Sequence, residues 1–164
     1  MTLNPNNDGI DHINIYSKSK NRLGFFLSHF PKTPFIHPEY GNFESMEGFW
    51  YYAKTGFKHQ YLRGLYGNEA KAFGKKLEVV HHPDFLSIIK AANLAKLNTY
   101  KHQYQALVNS TLPFTHYYVF GNWRMEKGAR VWEDDVKVVT PKSGEWLVEF
   151  WEETRRLLKS ISPE

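Results

Sequence analysis

Two short stretches carry the side chains best suited to chemistry. In the first, Glu47, Tyr51, Lys54 and Lys58 stand at i, i+4, i+7 and i+11, a spacing that puts all four on one face of a helix. Glu47 and Lys54 are two turns apart, about 10 Å along the axis, so they would meet through a ligand rather than directly. In the second, Lys71 and the Gly74-Lys75-Lys76 triplet fall in a short helix-prone segment, and lysines beside the free N–H groups of a helix start suit a phosphate or diphosphate. A carboxylate on such a surface can stabilise a developing cation or activate water. Each group also has an ordinary reading. Glu47 fits a first-turn carboxylate favoured by the helix dipole, the lysines a solvated basic face, and Trp50, Tyr51 and Phe85 a core stripe rather than stacking platforms for a base or pyrimidine ring.

Other chemistries are excluded by what is missing. The chain has no cysteine, which removes thiol nucleophiles, cysteine-based zinc sites and disulfides together. None of its eight histidines is three or four residues from another, and no HExxH occurs, so no helix face offers two imidazoles to a metal. GxSxG, GxxxxGK[ST] and GxGxxG are absent, leaving no motif for a serine triad or a phosphate loop. Neither a metal nor a cofactor is expected. Charge is uneven: residues 1–107 hold 13 Lys and Arg against 8 Asp and Glu, residues 108–164 hold 8 against 9, and all histidines lie at or before His116. A basic, histidine-rich first two thirds suits an anionic ligand or nucleic acid, although a net +4 is also that of an ordinary soluble domain.

The elements that must position these residues follow from periodicity. Residues 13–16 form a short β-prone run, the expected first strand. Polar residues 17–24 and the prolines at 31, 34 and 38 then predict loop to about residue 41, with a short strand near Phe35. Ser45 is an N-cap for a helix whose buried stripe is Met46, Phe49, Trp50, Ala53 and Phe57. Asn68 is expected to cap a second helix over residues 69–76. Asp84 is expected to cap a third, with Phe85, Ile88, Ile89, Ala92 and Ala95 as its core stripe to about Leu97. A further helix is predicted over 100–108, strands over 114–120 and 136–140, and an amphipathic helix over 144–159. The expected fold is α+β, a single compact domain, mostly helical around a small β-sheet. Residues 1–12 are expected to be a flexible leader, with one domain over 13–164.

Composition agrees with a packed domain. There are 12 Phe, 10 Tyr and 5 Trp, and only 23% of residues are charged, a balance that excludes disorder. The longest strictly apolar run, residues 49–53, is far too short to span a membrane. With no cysteine and a polar start, a cytoplasmic setting is expected.

Four pieces, in order along the chain, carry a family resemblance. They are Ile13-Asn14-Ile15-Tyr16-Ser17, Leu27-Ser28-His29-Phe30, Ser45-Met46-Glu47 with Lys54 seven residues on, and Ala70-Lys71-Ala72-Phe73-Gly74-Lys75. They resemble the opening I-N-F-Y-S strand, the LSNF segment, the S-x-E helix start with its lysine, and the AK-x-x-G-R run of the NADAR, or YbiA-like, family. The chain differs in having His29 where Asn is usual, Lys75 where Arg is usual and Phe85 where Trp is usual. The family's late D-x-x-W-G-x-G segment is replaced by residues 117–123, and acidic side chains are displaced to Glu126, Glu133, Asp134 and Asp135.

The resemblance implies a metal-independent N-glycosidase. Its substrate would be a phosphorylated ribosyl-amine or an ADP-ribosyl conjugate, with ADP-ribose on nucleic acid included. Breaking an N-glycosidic bond builds positive charge at the anomeric carbon, so Glu47 is the expected carboxylate and Lys54 its companion. Lys71, Lys75, Ser28, His29, Tyr51 and Phe85 are the expected substrate contacts. The expected partners are that small phosphorylated ligand and, for the modified-nucleic-acid substrate, nucleic acid; no membrane is expected. Two alternatives stand beside this reading: a catalytically degenerate module that binds or sequesters an ADP-ribose-like nucleotide, and a plain nucleic-acid-binding protein.

Overall fold

The computed structural model describes residues 3–161. They form the expected α+β fold, with helix predominating and the strands paired in two-stranded sheets. Contacts gather into two compact units, one made of the described residues up to Leu27 and from Gln105 onward, the other of residues 28–104.

In the first unit, β1 (Ile13–Asn14) pairs in parallel with β4 (Phe114–Thr115). The residues between β4 and β5 (Tyr118–Phe120) interrupt what the sequence presents as one strand, because β5 turns to pair antiparallel with β8 (Lys137–Val139). Asn14 accounts for that junction: its buried amide accepts from Tyr117 N at 2.9 Å and donates to Tyr117 O at 3.0 Å, bonds that a continuing ladder would need. A hairpin of β6 (Trp123–Glu126) and β7 (Ala129–Trp132) turns through Lys127 and Gly128, both at positive φ; periodicity alone does not predict it. Helix α1 (Arg22–Leu27) also forms where loop is expected. Asn21 caps it by accepting from Leu23 N and Gly24 N, and Gly24 ends no helix but lets α1 lie on β1, since an added methyl there would meet the Asn14 carbonyl. The closing helix α6 (Glu145–Ile161) buries Leu147 and Trp151 as its amphipathic pattern requires.

The expected flexible leader is instead packed over its described part; Met1 and Thr2 lie outside the described residues. Pro5–Asn7 make a 3-10 turn, and Asp8 is buried, accepting from Asn14 N, Ser19 Oγ and Lys20 N at 2.7–2.9 Å. Polar composition suggests fraying, but here the polar groups are hydrogen-bonded inside the fold.

The second unit is built on an aromatic core. Strands β2 (Phe35–His37) and β3 (Gly41–Phe43) pair antiparallel beneath helix α2 (Met46–Lys54). Phe43 meets Phe49 edge-on at 4.8 Å, and His37 stacks on Phe49 at 4.8 Å. Arg63 covers the cluster, its guanidinium 4.6 Å from the Phe43 ring centre while donating to the Tyr40 and Asn42 carbonyls. Helix α3 (Gly67–Lys75) and helix α4 (Phe85–Thr99) both pack on α2. The start of α3 differs from expectation: Tyr66 holds the cap position, not Asn68, and the first amide donates to Phe30 O at 3.0 Å. Asp84 does precede α4, but without a side-chain cap bond. The buried face of α4 is also rotated from the expected stripe. It comprises Ile89, Ala92, Asn93, Lys96 and Leu97, so it includes an amide and an ammonium. Helix α5 (Lys101–Asn109) follows directly.

Candidate functional site

The start of α2 is built around Ser45. Its Oγ accepts from Gly48 N at 2.9 Å and donates to Leu65 O at 2.8 Å, so one hydroxyl caps the helix and ties it to the chain that leads into α3. Glu47 sits in that first turn, its amide donating to His29 O at 2.7 Å. Its side chain is half-buried, and burial pushes the carboxyl pKa up to about 7 against the opposing pull of Lys71 first and Lys75 second. A first-turn carboxylate that merely complemented the helix dipole would be solvated and shifted downward. The upward shift means that desolvation outweighs the pull of the two lysines. Among the described residues Glu47 makes no ion pair.

The two motif-bearing helices are brought together by a close crossing. Gly74 lies flat against the Tyr51 ring, where an added methyl would overlap the ring carbons. This contact puts the exposed Lys71 and Lys75 of α3 beside Glu47 of α2. It also gives Tyr51 a packing partner on the helix opposite. Lys54, half-buried, holds its ammonium 5.9 Å from the ring centres of both Trp50 and Tyr51. Phe85, at the start of α4, meets Trp50 edge-on at 4.9 Å. Glu47, Lys71 and Lys75 are thus gathered, and Lys54 and Phe85 border them through Trp50.

Ser28 and His29 occupy a different position. Ser28 is buried, and its carbonyl accepts from Lys96 Nζ at 2.9 Å. The His29 ring is half-buried, with Nε2 3.2 Å from Asn93 Nδ2 and the ring centre 5.9 Å from that of Trp50. Sequence reasoning missed Asn93 and Lys96. The signal was there: both fall on the helical stripe of Ile89, Ala92 and Leu97, and polar residues on such a stripe are either misplaced or needed inside. Burial lowers the Lys96 pKa to about 7.

The displaced acids belong to the other unit. Glu126 and Glu133 are both held by the Arg124 guanidinium at 3.0 Å, and Asp134 and Asp135 are exposed. Among the described residues no group of three or more His, Asp or Glu side chains is arranged to hold a metal ion, and no helix is long and apolar enough to cross a membrane.

No protein-family model matches the sequence, and no curated protein matches it either. The fold does have a counterpart among solved structures. The NMR structure of the E. coli protein YbiA superposes with a TM-score of 0.60 over 97% of this chain and 95% of that one, at 13% identity. The chain therefore has a YbiA-like fold.

Proposed function

We propose that the protein is an N-glycosidase of the NADAR type, hydrolysing the bond between ribose C1′ and nitrogen in a phosphorylated ribosyl-amine or an ADP-ribosyl conjugate. The observation that carries this reading is Glu47: a half-buried carboxylate with a pKa near 7, flanked by Lys71 and Lys75, in a YbiA-like fold. A carboxyl poised near neutral pH serves as both base and acid. In the reaction the C1′–N bond breaks as positive charge builds at C1′, and water adds its oxygen there. Glu47 takes the proton that water gives up, and that proton then goes to the leaving nitrogen. Lys71 and Lys75 hold the phosphate or diphosphate by charge-assisted bonds. Lys54 steadies a ribose hydroxyl or phosphate oxygen, and the edge-on pair of Trp50 and Phe85 borders the leaving base.

One observation favours the alternative of a binding module without turnover. Glu126 and Glu133, two of the four acids displaced from the family's late acidic segment, are both paired with Arg124. The experiment that separates the two measures release of ribose-containing product from ADP-ribosyl conjugates and ribosyl-amine phosphates, alongside ADP-ribose affinity, in wild type and Glu47→Gln. Turnover lost in the variant with affinity retained supports the enzyme. Tight ADP-ribose binding with no turnover in wild type establishes the module.

A further inference from the structure

Residues 28–30 are where α2, α3 and α4 of the second unit meet. Helix α2 gives the Glu47 amide to His29 O at 2.7 Å, and α3 gives the Gly67 amide to Phe30 O at 3.0 Å. Helix α4 contributes two side chains one turn apart: Lys96 Nζ reaches Ser28 O at 2.9 Å, and Asn93 Nδ2 lies 3.2 Å from His29 Nε2. Three consecutive residues of one short segment thus bind the helix of the carboxylate, the helix of the lysines and the helix of Phe85. The segment's own peptide groups set where α2 and α3 begin.

Within this junction Lys96 is the costly member. It is 2% exposed, and burying an ammonium is unfavourable unless its bonds repay the lost hydration. A carbonyl needs only a neutral donor, yet α4 carries a lysine long enough to reach Ser28 O from one turn beyond Asn93. We propose that Lys96 is a positioning residue for the Glu47 site: its bond to the Ser28 carbonyl fixes the 28–30 segment in the place where His29 O captures the Glu47 amide. The inference rests on the reading of Glu47 given above for its catalytic consequence, but not for its structural one. Lys96 touches neither the substrate nor the reacting atoms in this scheme. Loss of its bond loosens the turn that aims Glu47, and small displacements of a catalytic group lower turnover more than binding.

The test compares wild type with Lys96→Met, which keeps the stem and removes the donors, and with Lys96→Gln, which keeps a neutral donor at shorter reach. Amide hydrogen exchange is followed by NMR at Glu47 and Gly67, with the amides of the α2 interior and of α6 as references. In Lys96→Met the Glu47 amide is expected to exchange at least 10-fold faster while the references change less than 3-fold, and Lys96→Gln is expected to lie between. On an ADP-ribosyl substrate, kcat is expected to fall at least 10-fold with KM within 3-fold of wild type. Unchanged Glu47 exchange in both variants overturns the proposal. So does acceleration shared equally by the α2 interior, which marks Lys96 as a general core residue. Glu47→Gln runs in parallel: wild-type turnover in that variant overturns the Glu47 reading, while the exchange measurement still decides the role of Lys96.

Discussion

The two units hold a desolvated carboxyl group in opposite ways. Asp8, in the first unit, is buried and receives three hydrogen bonds, two from main-chain amides. Arg155 in the same unit is buried too, donating to Ser110 Oγ, Leu112 O and Glu152 while lying 4.2 Å from the Phe114 ring centre. Those charges are saturated, as groups that hold a fold together must be. Glu47, in the second unit, has no ion pair among the described residues; the lysines that influence it are exposed on a neighbouring helix, and its pKa rises to about 7. A carboxyl group desolvated without an ion pair costs stability, and such groups are concentrated where a ligand or a reaction needs them. The difference separates a scaffold from a candidate site without reference to any family.

Turnover gives the sharpest break between the two kinds of group. Glu47→Gln keeps the shape of the side chain and removes its proton chemistry, so kcat on an ADP-ribosyl substrate should fall roughly 10²- to 10⁴-fold with ADP-ribose affinity little changed. Equal loss of affinity and turnover would make Glu47 a binding or capping residue, closer in kind to Asp8. The same substitution should not weaken the fold. Asp8→Ala, by contrast, strands two buried amides and a hydroxyl, and should cost about 3 kcal/mol or more in urea unfolding. An Asp8→Ala protein as stable as wild type would erase the distinction drawn between the units.

The pH dependence of stability follows from the same contrast. In the folded state the Glu47 pKa is raised from 4.5 to about 7, so folded protein holds a proton that unfolded chain has released. Its contribution is fully present below pH 4.5 and is lost as pH rises to 7 and beyond. Lys96 acts on the other side: its pKa is lowered from 10.5 to about 7, so its burial penalty applies below pH 7 and is relieved between 7 and 10.5. Together these groups place a dip in stability near pH 7, with the acid limb on the order of 2 kcal/mol. Urea titrations at pH 5, 7 and 9 should show Glu47→Gln flattening the acid limb alone and Lys96→Met the alkaline limb alone. An acid limb unchanged by Glu47→Gln would mean that another carboxyl titrates there.

How much of this could be read from the residues depended on the kind of contact. The Ser45 cap and the buried positions Met46, Phe49 and Ala53 were legible because capping and helical periodicity are local. The YbiA-like fold was legible from four short motifs in order. What escaped was non-local. Asp8 reads as part of a polar leader until Asn14, Ser19 and Lys20 fold around it. Gly24 reads as the end of a polar loop until α1 is laid on β1. Asn93 and Lys96 fall outside the core stripe expected for α4, and their partners lie 64 and 68 residues earlier. The Ser28-His29 pair reads as part of a binding motif, and in the fold its bonds join helices.

The smallest effect, and the one that best separates a pocket from a basic surface, is at the anion site. Lys71 and Lys75 are exposed, so each would owe its importance to a ligand rather than to the fold. A charge-assisted bond from either to a phosphate is worth about 1.5 to 3 kcal/mol, or roughly 10- to 100-fold in affinity. Lys71→Ala should therefore weaken ADP-ribose binding by that factor, leave the affinity for the unphosphorylated nucleoside unchanged, and leave thermal stability within about 0.5 kcal/mol of wild type. It should also raise the Glu47 pKa further, because Lys71 is the larger of the two charges holding it down. A nucleic-acid surface predicts a different pattern: affinity for an oligonucleotide that falls steeply with salt, spread over many Lys and Arg with a small loss from each. Titrating ADP-ribose, its nucleoside and a short oligonucleotide at two salt concentrations distinguishes these cases. Loss confined to the phosphorylated small ligand, accompanied by the upward shift of Glu47 in an NMR titration, places phosphate and carboxylate in one pocket. Unchanged ADP-ribose affinity beside strong salt-dependent oligonucleotide binding would make α3 part of a nucleic-acid surface and leave Glu47 without the ligand assigned to it.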